Sequence, residues 1–509
     1  METKTAAIEM RNITKRFGPV LANDKVWLNI YRGEILALLG ENGSGKTTLM
    51  NMLSGIYFPD EGEIKIDGKE VVIRSPKDAF DNGIGMIHQH FKLVDVLTAA
   101  ENIVLGLPGK LDLKAASAKI REICDKYGFS VDPAQKIYDM SVSQKQTVEI
   151  VKVLYRGADI LILDEPTAVL TPQETDKLFA VLRNMRNDGK AIVINTNKMH
   201  EVEALSDRVA ILRHGQFIGD ILTAQTKAQE MTNMMVGHAV SLNIERPDPV
   251  DPKPRIEVKG LTVRSVDGIV KLDDVSFTAN SGEILGIAGI SGCGQKELLE
   301  AIAGLQTVES GSISYIEDDG SREELIGKDP LSIAELGVSL SFVPEDRLGM
   351  GLVGNMNLAD NMMLRSFRRG KSIFTDRRSP RALAESVVQE LSVSTPSVDT
   401  PVRRLSGGNV QKVLVGREIA SAPTVLLTAY AVRGLDIHSS YTIYDLINRQ
   451  KKAGVAVIFV GEDLDVLLEL CDRILVLCGG KVSGIVSGRG AEKREVGMMM
   501  TKLGGQSHE

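Results

Sequence analysis

Gly40-Glu41-Asn42-Gly43-Ser44-Gly45-Lys46-Thr47 is the stretch that decides the fold of this chain. It fits a glycine, four variable residues and then Gly-Lys-Thr. The apolar run 34–39 precedes it and is typical of a buried strand, and residues 48–53 follow as the first turns of a helix. Strand, glycine loop and helix form the context in which this motif binds phosphate. The sequence therefore predicts a phosphate-binding loop rather than a plain glycine-rich turn.

The predicted chemistry of this loop is anion binding. Glycines let successive backbone N–H groups point inward, and the start of the helix adds about half a positive charge. We expect Lys46 to reach the β- and γ-phosphates of ATP and the Thr47 hydroxyl to hold Mg²⁺. The predicted ATP-binding residues here are Gly40, Glu41, Asn42, Gly43, Ser44, Gly45, Lys46, Thr47 and Thr48.

A second motif, at residues 160–167, consists of an apolar run that ends in Asp164-Glu165. Such a run predicts a strand that delivers two carboxylates at its carboxyl end, where ligands bind in open α/β sheets. We expect Asp164 to hold Mg²⁺ through water and Glu165 to polarise the attacking water. The alternative is a solvated acidic turn, which the presence of the glycine loop disfavours.

Bulk composition limits the class of protein. The chain has 509 residues, of which 43% are hydrophobic and 25% charged, which is ordinary for a soluble globular protein. The net charge of −7 argues against a general grip on nucleic acid. There is no apolar run near the ~18 residues that span a bilayer, and the first residues lack a signal-peptide core. We therefore expect a cytosolic protein, which leaves open a position against a membrane protein.

The chain reads as a tandem repeat. Residues 33–36 recur as 282–285, and residues 206–212 recur as 471–477. Copies of about 240 residues suit two duplicated domains better than stacked short repeats. A stretch with four prolines in ten residues separates them and predicts a stiff, extended linker. The predicted boundaries are 8–243 for the first domain, 244–254 for the linker and 255–503 for the second domain.

Each copy alternates strands with helices. The continuous apolar runs 191–194 and 455–460 are typical of strands covered on both faces. This indicates an α/β fold with a largely parallel central sheet. The segments 92–145 and 350–408 are more helical and predict an inserted helical subdomain in each copy.

With these motifs in place, the chain resembles the ATP-binding-cassette (ABC) ATPases over nearly its whole length. More closely, it resembles the fused double-cassette subunits of bacterial importers for monosaccharides and nucleosides. The resemblance implies two tandem P-loop ABC ATPase domains, each with a mostly parallel central sheet, an antiparallel β subdomain and a helical subdomain. It implies the cofactors ATP and Mg²⁺. It also implies two transmembrane permease subunits and an extracellular solute-binding protein as partners, no nucleic acid, and a peripheral location on the cytoplasmic face of the cell membrane.

The resemblance assigns further residues. Phe17 matches the aromatic residue that stacks on adenine, with a core phenylalanine as the alternative. Gln89 matches the glutamine that contacts Mg²⁺ and senses the permease. Asn197 stands where the family has a switch histidine. Its amide can bond a γ-phosphate but cannot carry a proton or a charge, which bears on hydrolysis. Thr171 replaces the usual aspartate in the loop after the acidic pair.

The second copy keeps little of the catalytic set. The lysine and hydroxyl positions of its glycine loop hold Gln295 and Lys296, and the acidic pair is replaced by Ala429 and Tyr430. In the family, each ATP lies between one glycine loop and the opposite signature segment. The first copy's signature is altered at Ser143, whereas the second copy's is intact. Its expected ATP-binding residues are Ser406, Gly407, Gly408 and Asn409.

These losses predict one competent composite ATP site and one defective site. The leading hypothesis is the energy-coupling ATPase of an importer for nucleosides, with simple sugars such as ribose or galactosides as the alternative cargo. A second hypothesis is a soluble double cassette that acts on ribosomes or nucleic acid. The one basic stretch with aromatics, 365–374, is its candidate contact, and the favoured alternative for that stretch is a solvated face of the helical insert. A third is a weakly hydrolysing regulatory subunit, motivated by Asn197 and Thr171.

Overall fold

The computed structural model describes residues 6–18, 20–41, 43–88, 91–167, 170–196, 198–237, 244–265, 268–290, 292–335, 340–367 and 375–501. The chain divides into two compact units, unit 1 (Met1–Ser241) and unit 2 (Leu242–Glu509). In the described part of the chain, none of the helices combines the length and the hydropathy that a bilayer span requires.

Unit 1 alternates strands and helices. Its strands are β1 (Ala6–Phe17), β2 (Val20–Tyr31), β3 (Ile35–Leu39), β4 (Glu61–Ile66), β5 (Lys69–Val71), β6 (Ile84–Ile87), β7 (Ile160–Asp164), β8 (Ala191–Asn195), β9 (Arg208–Arg213) and β10 (Gln216–Leu222). Its helices are α1 (Lys46–Leu53), α2 (Pro76–Asp81), α3 (Ala99–Val104), α4 (Leu113–Tyr127), α5 (Val142–Tyr155), α6 (Pro172–Asn187), α7 (Met199–Leu205) and α8 (Ala228–Val236), with 3₁₀ turns at Ile137–Asp139 and Thr223–Gln225.

Unit 2 repeats this order. Its strands are β11 (Pro254–Arg264), β12 (Val270–Asn280), β13 (Ile284–Gly289), β14 (Ser310–Ile316), β15 (Arg322–Glu324), β16 (Leu340–Val343), β17 (Val425–Ala429), β18 (Ala456–Val460), β19 (Arg473–Cys478) and β20 (Lys481–Ser487). Its helices are α9 (Gln295–Ile302), α10 (Pro330–Glu335), α11 (Leu358–Met363), α12 (Arg378–Glu390), α13 (Gly407–Ile419), α14 (Ile437–Lys452), α15 (Leu464–Leu470) and α16 (Lys493–Met499), with a π-helical turn at Arg347–Gly351 and a 3₁₀ turn at Val402–Arg404.

Each unit contains one antiparallel and one mainly parallel sheet. The antiparallel sheets have the orders β2-β1-β4-β5 and β12-β11-β14-β15. The central sheets have the orders β10-β9-β3-β8-β7-β6 and β16-β17-β18-β13-β19-β20. Within each central sheet the strands pair in parallel, except for the antiparallel edge strands β10 and β20. The predicted α/β fold is confirmed.

The central strands are apolar because both of their faces are covered. In unit 1, one face packs against α1 and the antiparallel sheet, and the other packs against α5 and α6. All five residues of β3 are buried, and so are all five of β17 and of β18. The predicted inserts fold as helices: α3, α4 and the start of α5 in unit 1, and α11, α12 and the start of α13 in unit 2. Thr98 and Ser141 each form a reciprocal capping box, which fixes the start of α3 and of α5. The sheets therefore supply a rigid edge from which loops project.

The proline-rich stretch is fastened to unit 2. Residues 244–253 form neither helix nor strand. Arg246 Nη1 donates a hydrogen bond to the backbone oxygen of Leu468 at 2.9 Å and another to that of Cys471. Lys451 bonds the backbone oxygen of Pro247 and pairs with Asp472 at 2.6 Å. These contacts order the chain before β11 begins.

Candidate functional site

The glycine loop of unit 1 joins β3 to α1 in a conformation that needs glycine. Gly45 caps α1 with φ of 96° and Gly43 has φ of 83°, both in the left-handed region. A Cβ at Gly45 would collide with the backbone oxygen of Ala22. The Ser44 N–H closes the turn on the Glu41 oxygen at 3.0 Å. The loop is therefore a tight backbone cradle at the start of a helix, as expected for anion binding.

Lys46 lies folded into this cradle. Its ammonium donates to the backbone oxygens of Gly40 at 2.6 Å and Glu41 at 3.0 Å. The side chain is only 8% exposed, and burial lowers the pKa of Lys46 to about 8. The carboxylates of Glu165 and Asp164 act in the opposite direction. Lys46 thus faces the two acidic residues of the second motif.

The loop also presents groups suited to phosphate and a hard cation. Ser44 Oγ is buried and has no hydrogen-bond partner among the described residues. Such a donor within a cradle of N–H groups fits a phosphate oxygen. Thr47 is exposed at the first turn of α1. Its hydroxyl and the Asp164 carboxylate are hard oxygen donors, which is the donor type that Mg²⁺ prefers. The residues present fit Mg·ATP.

The acidic pair stands at the carboxyl end of β7. Asp164 pairs in register with Asn195 on β8, and the Asn195 amide donates to Asp164 Oδ1 at 2.5 Å. Burial raises the pKa of Asp164, and the Asn195 hydrogen bond opposes that rise. Glu165 adopts φ of 47°, and its N–H bonds the Asn195 backbone oxygen at 2.8 Å. Burial, and then the Asp164 charge, raise the pKa of Glu165. A carboxylate with a raised pKa is a stronger base, which suits the predicted role.

A further carboxylate, Glu201 on α7, lies close enough to Glu165 to act on its pKa. It is 4% exposed and accepts hydrogen bonds from the hydroxyls of Thr167 and, at 3.2 Å, Thr196. Lys198 pairs with Glu201 at 3.2 Å and donates to the Thr167 backbone oxygen at 3.3 Å. This cluster joins the loop after β7 to the loop after β8. Sequence reasoning missed it because Thr167 lies 34 residues before Glu201 in the chain.

Phe17 lies at the end of β1 with 40% of its surface exposed. Its ring meets that of Tyr57 edge-on, with centroids 5.1 Å apart, and the Lys15 ammonium lies 5.6 Å from its centroid. Exposure favours a ligand-facing aromatic over the alternative of a core phenylalanine. The same positions in unit 2, counted along the matching strands and loops, hold Ser265 and Gln306. Unit 2 therefore lacks the aromatic pair.

The glycine loop of unit 2 has the same backbone conformation as that of unit 1 but lacks its lysine. Gly294 caps α9 with φ of 98°, as Gly45 caps α1. Gln295 occupies the place of Lys46, is 2% exposed, and donates to the Ile290 oxygen at 3.2 Å. Lys296 points elsewhere and pairs with Glu300 at 3.7 Å along α9. A neutral amide replaces the buried cation.

The acidic positions of unit 2 are likewise replaced on a conserved backbone. Tyr430 has φ of 51°, and its N–H bonds the Val460 oxygen at 3.0 Å, as Glu165 does with Asn195. Burial raises the pKa of Tyr430 to about 12. Arg433 forms ion pairs with Glu345 and, at 2.9 Å, Glu462. An alanine, a neutral phenol and an internally paired cation do not form a Mg²⁺ site.

The two signature segments differ at their helix starts. Ser141 caps α5 through Gln144, and its hydroxyl lies 3.1 Å from that of Ser143. Ser406 caps α13, and its hydroxyl accepts from the Asn409 side chain at 2.9 Å. The predicted binding residues Gly407 and Gly408 form the first turn of α13. Ser143 thus adds a hydroxyl where unit 2 presents bare backbone.

The structure brings several predicted residues together in unit 1. They are Gly40, Glu41, Gly43, Ser44, Gly45, Lys46, Thr47, Thr48, Asp164 and Glu165. Ser406 to Asn409 form one segment of unit 2. Asn42, Gln89, Asn197 and the basic residues 368–374 lie outside the described residues. Sequence reasoning missed Asn195, Tyr57 and Glu201. A strand-by-strand comparison of the two copies could have found all three, since the equivalent positions of unit 2 hold Val460, Gln306 and Val466.

Comparison with known proteins identifies the class. The profile of the ABC transporter family matches residues 23–168 and 272–428, one segment in each unit. These segments cover more than half of the chain, which therefore belongs to the ABC transporter family. The resemblance stated from the motifs is confirmed: the protein is a double-cassette, ATP-binding subunit with ATPase activity.

Individual relatives match over the whole length. The nucleoside import ATP-binding protein NupA of Lactococcus lactis subsp. cremoris is 42% identical over 99% of each chain. The guanosine import ATP-binding protein NupO of Bacillus subtilis is 40% identical over 97% of each chain. The glucose import ATP-binding protein TsgD13 of Haloferax volcanii is 39% identical over 98% of this chain and 96% of its own.

Proposed function

We propose that this protein is the energy-coupling subunit of an importer for nucleosides and that it hydrolyses ATP at one composite site. The proposal rests on an asymmetry in catalytic residues between two units that have the same backbone fold. Unit 1 has Lys46 and Glu165 where unit 2 has Gln295 and Tyr430. The unaltered signature segment, in contrast, lies in unit 2. This distribution of substitutions is expected if one composite ATP site has been lost and the other retained. Independent substitutions would instead be scattered over both sites.

At the competent site, the residues of unit 1 bind the phosphates and hold the water. Lys46 leaves the carbonyl oxygens of its own loop and binds the β- and γ-phosphates, which are stronger acceptors for an ammonium group. Glu165 orients the attacking water and takes its proton, and Asn197 donates its amide to the γ-phosphate. Thr47, Gln89 and Asp164 would hold Mg²⁺, which would neutralise negative charge on the phosphates.

Two further elements complete this site. Phe17 stacks on the adenine, with its ring supported by Tyr57. Ser406, Gly407, Gly408 and Asn409 bind the γ-phosphate through a hydroxyl and the N–H groups at the start of α13. Closure around ATP and release after hydrolysis then drive the membrane partners.

The experiment compares Lys46→Ala with Gln295→Ala in the protein reconstituted with its permeases. Lys46→Ala is expected to abolish ATP hydrolysis, because it removes the buried cation that binds the phosphates. Gln295→Ala, its matched control in unit 2, is expected to leave hydrolysis within about twofold, a difference too small to reflect loss of transition-state stabilisation. Equal losses in both variants would overturn the assignment of one competent site.

The cargo follows from the relatives. Those at 42% and 40% identity are named for nucleoside and guanosine import, and the one at 39% for glucose import. We infer a nucleoside cargo, carried by two permease subunits that receive it from an extracellular solute-binding protein. The ATPase would then lie peripherally on the cytoplasmic face of the membrane. Uptake of labelled nucleosides and of labelled ribose or glucose by proteoliposomes tests this inference, and uptake of the sugars alone would reassign the cargo.

A further inference from the structure

Glu201 is a buried carboxylate to which the proposed mechanism gives no role. It lies on α7, is 4% exposed, and accepts hydrogen bonds from the hydroxyls of Thr167 and Thr196. Lys198 lies 3.2 Å from its carboxylate, and the His200 imidazole lies 4.0 Å away. Burial of a carboxylate is unfavourable unless hydrogen bonds and a cation compensate it, and here both are supplied.

The partners of Glu201 lie at two places that matter for hydrolysis. Thr167 follows the acidic pair by two residues, in the loop that leaves β7. Thr196 and Lys198 flank the switch position 197 in the loop that leaves β8. One carboxylate therefore bonds the loop that carries Glu165 and the loop that carries the switch residue. The charges of Lys198 and Glu201 both act on the pKa of Glu165, the first lowering it and the second raising it.

Unit 2 shows that the fold does not require this cluster. Counted from the ends of β17 and β18, the positions of Thr167, Thr196 and Glu201 are held by Val432, Gly461 and Val466. The strands and the helix α15 are nonetheless formed. The polar cluster is present in the unit with the catalytic residues and absent from the unit without them.

Another buried glutamate behaves differently. Glu34 of unit 1 is 3% exposed and pairs with Arg208 at 2.7 Å. Its counterpart Glu283 of unit 2 is also 3% exposed and pairs with Arg473 at 2.7 Å. A carboxylate that serves the fold is thus retained in both units, in contrast to Glu201.

We propose that Glu201 is a positioning residue for ATP hydrolysis, which holds the loop after Glu165 and the switch loop in register. This inference rests on the proposed function, since it takes Glu165 as the base. Glu201 does not touch the reacting atoms. It acts by keeping the loop after β7 and the loop after β8 at a fixed separation, and a misplacement of about 1 Å at such a site can cost ~10²-fold in rate.

The test measures ATP affinity and kcat separately, with permeases present, in Glu201→Val and Glu201→Gln. Glu201→Val installs the residue of unit 2 and is expected to lower kcat by about tenfold to 10²-fold. Its Kd for ATP is expected to change by less than about threefold, because a residue that acts only in the transition state leaves binding intact. Glu201→Gln keeps an oxygen that accepts from the Thr167 hydroxyl, and its NH₂ group can donate to the Thr196 hydroxyl, so this variant should recover most of kcat.

Controls separate a positioning role from a structural one. Glu34→Gln changes a buried carboxylate that has an equivalent, Glu283, in unit 2. It is expected to lower Tm without a selective loss of kcat. If Glu201→Val does not fold, the double variant Thr167→Val with Thr196→Val, which removes both donors, must show the same selective loss. A folded Glu201→Val protein with wild-type kcat, or a parallel loss of affinity and kcat, would overturn the proposal. An inactive wild-type protein would instead refute the proposed function.

Discussion

Asn195 Nδ2 and Asp164 Oδ1 are joined by a hydrogen bond of 2.5 Å between register partners on β8 and β7. The bond fixes the orientation of a carboxylate that we assign to Mg²⁺. Burial raises the pKa of Asp164, and the amide of Asn195 holds it down by stabilising the ionised form. The Asn195 amide therefore favours the ionised form of Asp164 and fixes the orientation of its carboxylate.

Replacement of Asn195 by alanine should weaken Mg²⁺ binding. Loss of a hydrogen bond to a metal-binding carboxylate typically costs about 10- to 100-fold in metal affinity. We expect the Mg²⁺ concentration for half-maximal ATPase to rise within that range. Titration of ATPase against Mg²⁺ at saturating ATP measures it. Asn187→Ala, an exposed asparagine of the same unit, is the control. An unchanged Mg²⁺ requirement in Asn195→Ala would contradict the metal assignment of Asp164.

Glu165→Gln is expected to trap ATP with near-zero turnover. Glutamine keeps the size of the side chain but cannot take a proton from water. The measurement is the nucleotide that remains bound after gel filtration, together with the steady-state ATPase rate. Tyr430→Phe is the matched control, because Tyr430 has the same backbone position in unit 2. It should hydrolyse ATP at the wild-type rate. Wild-type turnover in Glu165→Gln would refute Glu165 as the base.

Lys46→Met should stabilise the nucleotide-free protein at neutral pH. Burial lowers the pKa of Lys46 from 10.5 to about 8, so the fold disfavours its charged form. That difference corresponds to up to about 3 kcal/mol. The penalty is fully present below pH 8 and is relieved as the pH rises from 8 through 10.5. Thermal unfolding without nucleotide should therefore show a higher Tm for Lys46→Met at pH 7.

The pH dependence distinguishes this effect from a general gain in packing. The Tm difference between Lys46→Met and the wild-type protein should shrink between pH 8 and 10.5. Lys177→Met removes a lysine for which no such penalty is expected, since it lies at the surface of α6. A difference that stays constant across this range, or is equal in both variants, would show that the charge of Lys46 is not the cause.

Phe17→Ala is expected to weaken ATP binding by about 2 kcal/mol, or roughly 30-fold, as typical for loss of a base-stacking aromatic. Tyr57→Ala should cost less, about 1 kcal/mol or fivefold, because it removes only the edge contact with Phe17. Calorimetric titration with ATP measures both. Phe58→Ala is the control, since Phe58 is 47% exposed and lies against Arg74. Equal affinity in Phe17→Ala and the wild-type protein would exclude stacking.

The motifs could be predicted because each is local. The glycine loop needs only a strand, a few glycines and a helix start in succession, and the φ of 96° at Gly45 follows from that order. The duplication was equally visible, since equivalent segments recur along the chain. The replacement of the residues equivalent to Lys46 and Glu165 in unit 2 could be recognised for the same reason, because each position is fixed by its distance from the end of a strand.

The sequence by itself thus determined the α/β class, the tandem cassettes and the unequal catalytic sets of the two copies. Only the tertiary structure decided which side chains share hydrogen bonds, such as Asp164 with Asn195 or Glu201 with Thr167 and Thr196. Those partners are between 5 and 34 residues apart. They meet because parallel strands end at one edge of a sheet, so strand order and register, rather than nearness in the chain, set the contacts.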